Sequence, residues 1–454
     1  MSQPILFTNA MIFDGTGRDV FPGEVRVEGN RIAAVGEGAG RLPREGATII
    51  HCESATLLPG LVEAHAHLSW PSSVGRIFNG MMLPPEEHLL VTAHNARVTL
   101  EAGFTSAYSA GSLGARFEVA LKKEIEGGYL PGPRLVASSL EQGPKDVPGV
   151  PPAEGNKHGR GVAAMRAYVA AMAELGVDSI KLLLSGDDAF APGASQHLTY
   201  TEEEVAVAAN EAHARGIWLS CHAQSAESIK IALRYGFRIL YHCSHADEGA
   251  LDLLEAKKDK VFVAPAVGLR FARMHEAEAF GVTRAVAEKM GVFAEVERMQ
   301  KLYPQMRKRG IRVLPGGDYG FPYNPVGRNA RDLELFVKLF GYSSVEALVA
   351  ATKSGGELMG LQVGLVKTDW LADLILVRGN PVEDVAILQE PQRLLMIMKD
   401  GRIVLPPSNI QENDLMRGQV VSDVVRAQQI SSYRQSNARA SAMAQTAARG
   451  QTNL

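Results

Sequence analysis

Residues 61–70 read LVEAHAHLSW, and the way this run ends decides how the rest of the chain is read. Apolar residues suited to a buried strand stop at two imidazoles, His65 and His67. Side chains i and i+2 of a strand share a face, so both rings are expected to point the same way at the strand's C-terminal end. Seven further apolar runs follow: GFTSAYSA, PRLVASSL, DSIKLLLS, IWLSCH, FRILYH, KVFVAPA and RVLPGGD. Segments with helical periodicity separate them, among them GVAAMRAYVAAMAELG, TEEEVAVAANEAHARG, SAESIKIALRYG and NARDLELFVKLFG. TYTEEE supplies a capping box at Thr199 or Thr201, and ELG, ARG and RYG end helices on glycine. Eight strands alternating with helices predict an α/β protein, a parallel (β/α)₈ TIM barrel. A doubly wound open sheet is the alternative.

Outside this region the texture changes. ILFTNAMIFD, GEVRVEGNRIAAVG and ATIIHC near the start read as short antiparallel strands, and KTDWLADLILVRGNP and LLMIMKDGRIVL near the end read alike. They predict a small β-sandwich domain built from both chain ends, residues 1–58 plus 363–410, around a barrel over residues 59–362. Residues 411–454 form a polar, aromatic-poor tail to which no chemistry is assigned.

Composition excludes several classes of protein. The 454 residues carry a formal charge of -3, with no basic excess for nucleic acid. No apolar stretch approaches the roughly 18 residues of a membrane span, and the N-terminus reads as a strand and not as a signal peptide. Cys52, Cys221 and Cys243 match no disulfide framework, which fits a reducing compartment. A cytoplasmic protein acting on a small molecule, without nucleic acid or membrane, is expected.

A TIM barrel carries its chemistry at the C-terminal ends of its strands. There the sequence places His65 and His67 (strand one), Lys181 (four), His222 (five), His242 (six) and Asp318 (eight). His245 competes with His242, which is preferred because it closes the apolar run FRILY. Imidazoles and a carboxylate converging on one rim suit a divalent metal ion, whose coordination would satisfy their lone pairs. A buried lysine would be costly as a cation, and as a neutral amine it can form a carbamate with CO₂.

With these residues in view, LLPGLVEAHAH resembles the first-strand signature of the amidohydrolase superfamily. The order His-x-His, Lys, His, His, Asp is similar to that of its binuclear members. NARDLELFVKLFGYSSVEALVAATKSGGELMGL and ADLILVRGNP resemble the post-barrel helices and the returning segment of the imidazolonepropionase and dipeptidase branch. The chain also resembles hydrolases of phenylureas and thiocarbamates. The resemblance implies that His65, His67 and Asp318 hold the more buried of two metal ions and that His222 and His242 hold the other. A carboxylated Lys181 would bridge them. Zinc is expected, with manganese or cobalt suited to the same donors. Asp318 would act as proton shuttle to a metal-activated hydroxide, and a homo-oligomer is expected, as is common among these folds.

Three departures bear on the substrate. Glu63 stands where the first strand commonly has Asp, and strand six reads YHCSHAD where EHG is usual. Gln224 stands where peptidase-like relatives have a tyrosine that grips a substrate carboxylate. His158, Gln224, Tyr319, Phe321 and Tyr323 are candidates to line the cavity, with Arg160 or Arg328 as sources of charge. Without an evident carboxylate clamp, a neutral amide, urea or carbamate with an aryl or alkyl group is expected. The alternatives are an Xaa-Pro-type dipeptidase, then a deaminase, against which Lys181 argues, and then a non-enzymatic barrel, against which the full donor set argues.

Overall fold

The computed structural model describes residues 3–405 apart from 142, 145, 146 and 148–159. One eight-stranded sheet joins the two chain ends. The N-terminal part supplies β1 (Ile5–Ile12), β2 (Phe21–Glu28), β3 (Arg31–Glu37), β4 (Thr48–His51) and β5 (Thr56–Pro59). With β14 (Leu374–Val377), β15 (Leu394–Lys399) and β16 (Arg402–Leu405) from the C-terminal part, its strand order is β16-β15-β14-β5-β1-β2-β3, with β4 beside β1. Asn9, at φ 52°, breaks the register of β1, so Ile5–Thr8 pair with β4 while Met11 and Ile12 pair with β5. Phe7, Ile12, Val25, Ile32, Leu57, Leu374, Met396 and Met398 share one apolar core, which fastens the two ends together.

The run LLPGLVEAHAH is divided between two sheets. Thr56–Pro59 pair with the C-terminal strand carrying Leu374–Val377, and Gly60 then carries the chain across. A Cβ at Gly60 would lie 2.1 Å from Thr105 Oγ1, so only glycine passes there.

From Gly60 onward strands and helices alternate. They are β6 (Leu61–Ala66), α1 (Pro85–Glu101), β7 (Phe104–Ser109), α2 (Phe117–Glu126), β8 (Arg134–Val136), α3 (Val162–Leu175), β9 (Ser179–Leu183) and α4 (Glu202–Ala214). There follow β10 (Trp218–Ser225), α5 (Ala226–Arg234), β11 (Ile239–His245), α6 (Glu248–Ala256), β12 (Phe262–Ala264) and α7 (Val267–His275). The series continues with α8 (Arg284–Lys289), α9 (Val292–Lys308), β13 (Arg312–Val313) and α10 (Arg331–Phe340). Thr201 caps α4 in the expected capping box with Glu204, and Gly176 and Gly341 end α3 and α10 in the left-handed conformation. The end sheet is completed by β14 (Leu374–Val377), β15 (Leu394–Lys399) and β16 (Arg402–Leu405).

β6 to β13 are parallel and lie in chain order, as β6-β7-β8 and β9-β10-β11-β12-β13. A parallel bridge between Ser138 and Ser179, with Ser139 N donating to Ser179 O at 2.8 Å, joins the two runs. Gly316, just after β13, packs so closely on β6 that an added Cβ would be 2.9 Å from His65 N. Burial follows a two-residue period. Ile180, Leu182, Leu240, Val263 and Val313 join the core under the helices, while Ile239, Tyr241, Phe262, Ala264 and Leu314 join a second core. Among the described residues, no helix is long and apolar enough to cross a membrane.

Candidate metal centre

Donor groups meet at the C-terminal ends of these strands. Asp318 Oδ1 lies 3.2 Å from His67 Nε2 and 3.8 Å from His65 Nε2. Ligand atoms of His65, His67 and Asp318 all fall within 4.8 Å of one another, and all three residues are buried. The His242 ring centroid is 5.4 Å from that of His65 and 4.3 Å from that of His222, which extends the cluster to four imidazoles. Lys181, 1% exposed, sets Nζ 4.6 Å over the Tyr241 ring, which stacks on His65 at 4.0 Å. Its Nζ donates to Ala110 O at 2.6 Å and pairs with Glu141 at 3.1 Å.

Local backbone geometry sets these side chains. His242 and Cys243, inside β11, and Ala266 and Asp318, beyond the ends of β12 and β13, have φ of 74°, 56°, 58° and 61°. Non-glycine residues reach this region only when their surroundings over-determine it. The Tyr303 hydroxyl donates to the carbonyl of His242. The Asn324 amide donates to the carbonyls of Gly317 and Asp318 at 2.9 and 3.0 Å. Strand alternation would turn His242 away from the side occupied by Tyr241; the left-handed turn brings its ring back to the cluster. His245 instead meets Ser195 Oγ at 3.1 Å and Arg298 at 3.5 Å.

The electrostatics favour neutral imidazoles around an ionised carboxylate. Burial holds His65 and His242 well below the usual histidine pKa and lowers His222 as well. Burial alone would raise the Asp318 carboxyl, but the His65 and His67 rings and the Arg270 guanidinium outweigh it and hold it well below the usual carboxylate range. Two buried acids behind the site shift the other way. Burial raises Glu63 to about 8 and Asp332 to about 6. Glu63 accepts from His65 N at 2.9 Å and from Asn329 at 2.6 Å, which fixes the backbone of the first histidine pair.

These residues fit a divalent cation. His65 Nδ1, His242 Nδ1 and Asp318 Oδ1 are buried with no hydrogen-bond partner among the described residues. Such atoms are rare in folded proteins unless an ion or water meets them. Nitrogen and carboxylate oxygen donors are the set zinc and its neighbours prefer.

Comparison with known proteins supports the same conclusion. The model of the amidohydrolase family matches residues 56–404. The chain belongs to the amidohydrolase family. It is accordingly an enzyme, a hydrolase of carbon–nitrogen bonds, with a TIM-barrel-type fold of mixed α/β content. Amidohydrolases are generally metal-dependent, in keeping with the donors at His65, His67 and Asp318. The ochratoxinase of Aspergillus niger is 26% identical over 377 residues, covering 77% of this chain and 76% of that protein. A crystal structure of a Xaa-Pro dipeptidase with bound methionine superposes with a TM-score of 0.75 at 23% identity, covering 88% of this chain and 99% of that one. Phenylurea hydrolase B superposes with a TM-score of 0.68 at 20% identity, covering 88% and 96%.

The expected cavity residues divide. Gln224 is 2% exposed and its amide nitrogen lies 3.3 Å from both Asp187 Oδ2 and His222 Nε2. Tyr319 is 1% exposed, with its hydroxyl donating to Asp332 at 2.7 Å, so its polar end is committed to the start of α10. Phe321 stacks on Tyr323 at 5.5 Å and meets Trp70 edge-on at 4.7 Å, and Trp70 stacks on His67 at 3.8 Å. These rings form an aromatic wall leading from His67, one of the candidate ligands. Arg328 is held by Glu276 at 2.8 Å, Arg160 is exposed, and His158 lies outside the described residues.

Sequence reasoning missed Asp187, Glu295, Arg270 and Arg273. Arg270, 1% exposed, lies 3.7 Å from Asp318 Oδ2, 3.5 Å from Asp187 and 3.1 Å from Glu295. The available signal was the spacing Val267, Arg270, Arg273, which puts both arginines on an apolar helix face.

Proposed function

We propose that this chain is a metal-dependent hydrolase that cleaves an amide, urea or carbamate bearing an aryl or alkyl group. The observation that carries the reading is the His65, His67 and Asp318 donor set, whose ligand atoms lie within 4.8 Å and include buried atoms with no other partner. Held by these residues, with His222 and His242 for a second ion and a carboxylated Lys181 between them, a zinc, manganese or cobalt pair would acidify water and polarise the scissile carbonyl. Asp318 Oδ1 faces the histidines while Oδ2 faces Arg270, and the carboxylate would take the proton of the attacking water through the oxygen turned away from the histidines. Asp318 then delivers that proton to the leaving nitrogen. Trp70, Phe321 and Tyr323 receive the apolar group of the substrate. In this reading residues 1–58 with 363–410 form a β-sandwich beside a barrel at 59–362, and the protein is a cytoplasmic homo-oligomer. An Xaa-Pro-type dipeptidase is the second reading, favoured by Arg270 and Arg273, which supply a grip that Gln224 does not.

A hydrolysis screen of the metal-loaded protein against anilides, arylureas, carbamates and dipeptides tests this, with metal content measured in parallel. Cleavage in at least one class, lost on chelation and regained on adding the metal, is expected. Activity indifferent to complete metal removal would overturn the reading.

A further inference from the structure

We propose that Asn324, oriented by Arg331, is a positioning residue that aims the Asp318 carboxylate by fixing the peptide planes on either side of it. The inference rests on the reading of Asp318 as ligand and proton carrier.

Asn324 is 0% exposed, and its side-chain amide donates to two successive carbonyls, Gly317 O at 2.9 Å and Asp318 O at 3.0 Å. The first carbonyl belongs to the peptide before the Asp318 Cα, and the second to the peptide after it. The tilt of one plane is the φ of Asp318 and the tilt of the other is its ψ. A single amide therefore holds both soft backbone angles of that residue. Those angles direct the bond from Cα to Cβ, and with it the carboxylate. The φ of 61° lies in the left-handed region, which an aspartate keeps only when its surroundings hold it there.

The other end of the amide is committed as well. Arg331 Nη2 donates to Asn324 Oδ1 and to Gly268 O, the latter at 2.9 Å. Carbonyls only accept and a guanidinium only donates, so one orientation of the amide satisfies both sides. Arg331, 4% exposed, is fixed in turn by Glu276 at 2.7 Å, and the same carboxylate holds Arg328 at 2.8 Å. Gly268 and Glu276 lie at the two ends of α7, the helix that sets Arg270 3.7 Å from Asp318 Oδ2. Arg331 thus ties the helix facing the carboxylate to the amide that aims it. A brace for the loop would not need the Asn324 side chain. The turn from Gly320 to Asn324 is already closed by main-chain bonds, Gly320 N to Asn324 O at 2.8 Å and Asn324 N to Phe321 O at 3.0 Å. The side chain instead serves the two carbonyls that flank Asp318.

The test uses Asn324→Asp and Arg331→Lys beside wild type. Asn324→Asp keeps the shape but turns a carboxylate, which cannot donate, toward both carbonyls. Arg331→Lys keeps the charge but loses the planar fork that grips Asn324, Gly268 and Glu276 together. Each protein is loaded with cobalt(II), and its visible absorption is recorded at equal metal content, because the bands follow the arrangement of the donors. Values of kcat and KM are measured on whichever anilide, arylurea, carbamate or dipeptide the wild type cleaves. They are expressed per folded, metal-loaded site, from circular dichroism and elemental analysis. Both variants are expected to shift the cobalt bands. The expected fall in kcat is about 10–100-fold in Asn324→Asp and smaller in Arg331→Lys, with KM within about twofold of wild type. A residue that only braced the loop would lower the unfolding temperature and leave the bands and kcat of folded sites unchanged; that result would overturn the proposal. If Asn324→Asp does not fold, wild-type bands and kcat in Arg331→Lys would overturn it equally. Shifted bands in a protein that cleaves none of these substrates would support the role of Asn324 and overturn the hydrolase reading.

Discussion

Replacing Gly316 by alanine puts the closest approach in the site under test. An added Cβ would fall 2.7 Å from His65 Cβ, 2.9 Å from His65 N and 3.3 Å from Glu63 Oε1. Ordinary contact begins at 3.4 Å, so the end of β13 and the first histidine must part by about 0.7 Å. Two of the three obstructing atoms are backbone or Cβ, which cannot rotate away. Overpacking of this kind costs about 1–3 kcal/mol. The displacement also exceeds the roughly 0.5 Å within which a metal constellation must be held. Loss of a group that orients a ligand typically lowers metal affinity about 10–100-fold, and a loss of that size is expected here. Chelator-competition titration gives the metal Kd, and thermal unfolding of the metal-free protein separates instability from ligand misplacement. Wild-type affinity together with wild-type unfolding temperature would refute the close packing of strand eight on strand one.

Two further outcomes follow from the site. Asp318→Asn keeps an oxygen toward His65 and His67 but cannot carry a proton; kcat should fall about 10²–10⁴-fold while much of the metal, measured by elemental analysis, is retained. Wild-type turnover would remove Asp318 as the proton carrier. Burial raises the Glu118 carboxyl from 4.5 to about 7, so across that window the native protein holds a proton that the unfolded chain has released. Its contribution to stability is full below pH 4.5 and is lost as pH rises through about 7. Glu118→Gln should flatten the fall in unfolding temperature between those pH values, and an unchanged slope would reject the assignment.

Much of the site was legible because strand periodicity and polar interruptions are local signals. Lys181 sits between Ile180 and Leu182, which face the helices, so alternation alone turns it to the other side. The same rule works for His222, which follows Cys221 of that helix-facing core. The division of LLPGLVEAHAH was not legible, since Thr56–Pro59 and Leu61–Ala66 follow one another with only Gly60 between them and only pairing with Leu374–Val377 separates them. Arg270 was hidden for a related reason: an arginine in a helix reads as solvent-facing until its carboxylate partners, 25 and 83 positions away, are placed beside it.

By itself the sequence determined the alternation of strands and helices, the shared face of His65 and His67, and the donor types that strand ends present. These depend on repeats of two and 3.6 residues, which any short window displays. The sequence already preferred His242 to His245, but the tertiary structure alone decided how the His242 ring reaches the other imidazoles. Alternation puts Tyr241 on the side facing Lys181 and turns His242 away, and the left-handed backbone at His242 and Cys243 reverses that. The Tyr303 hydroxyl, from a helix some sixty residues later, bonds the carbonyl of His242 and so helps hold the turn. A strained conformation of that kind persists only through contacts made when the chain has folded, which is why no local pattern announced it.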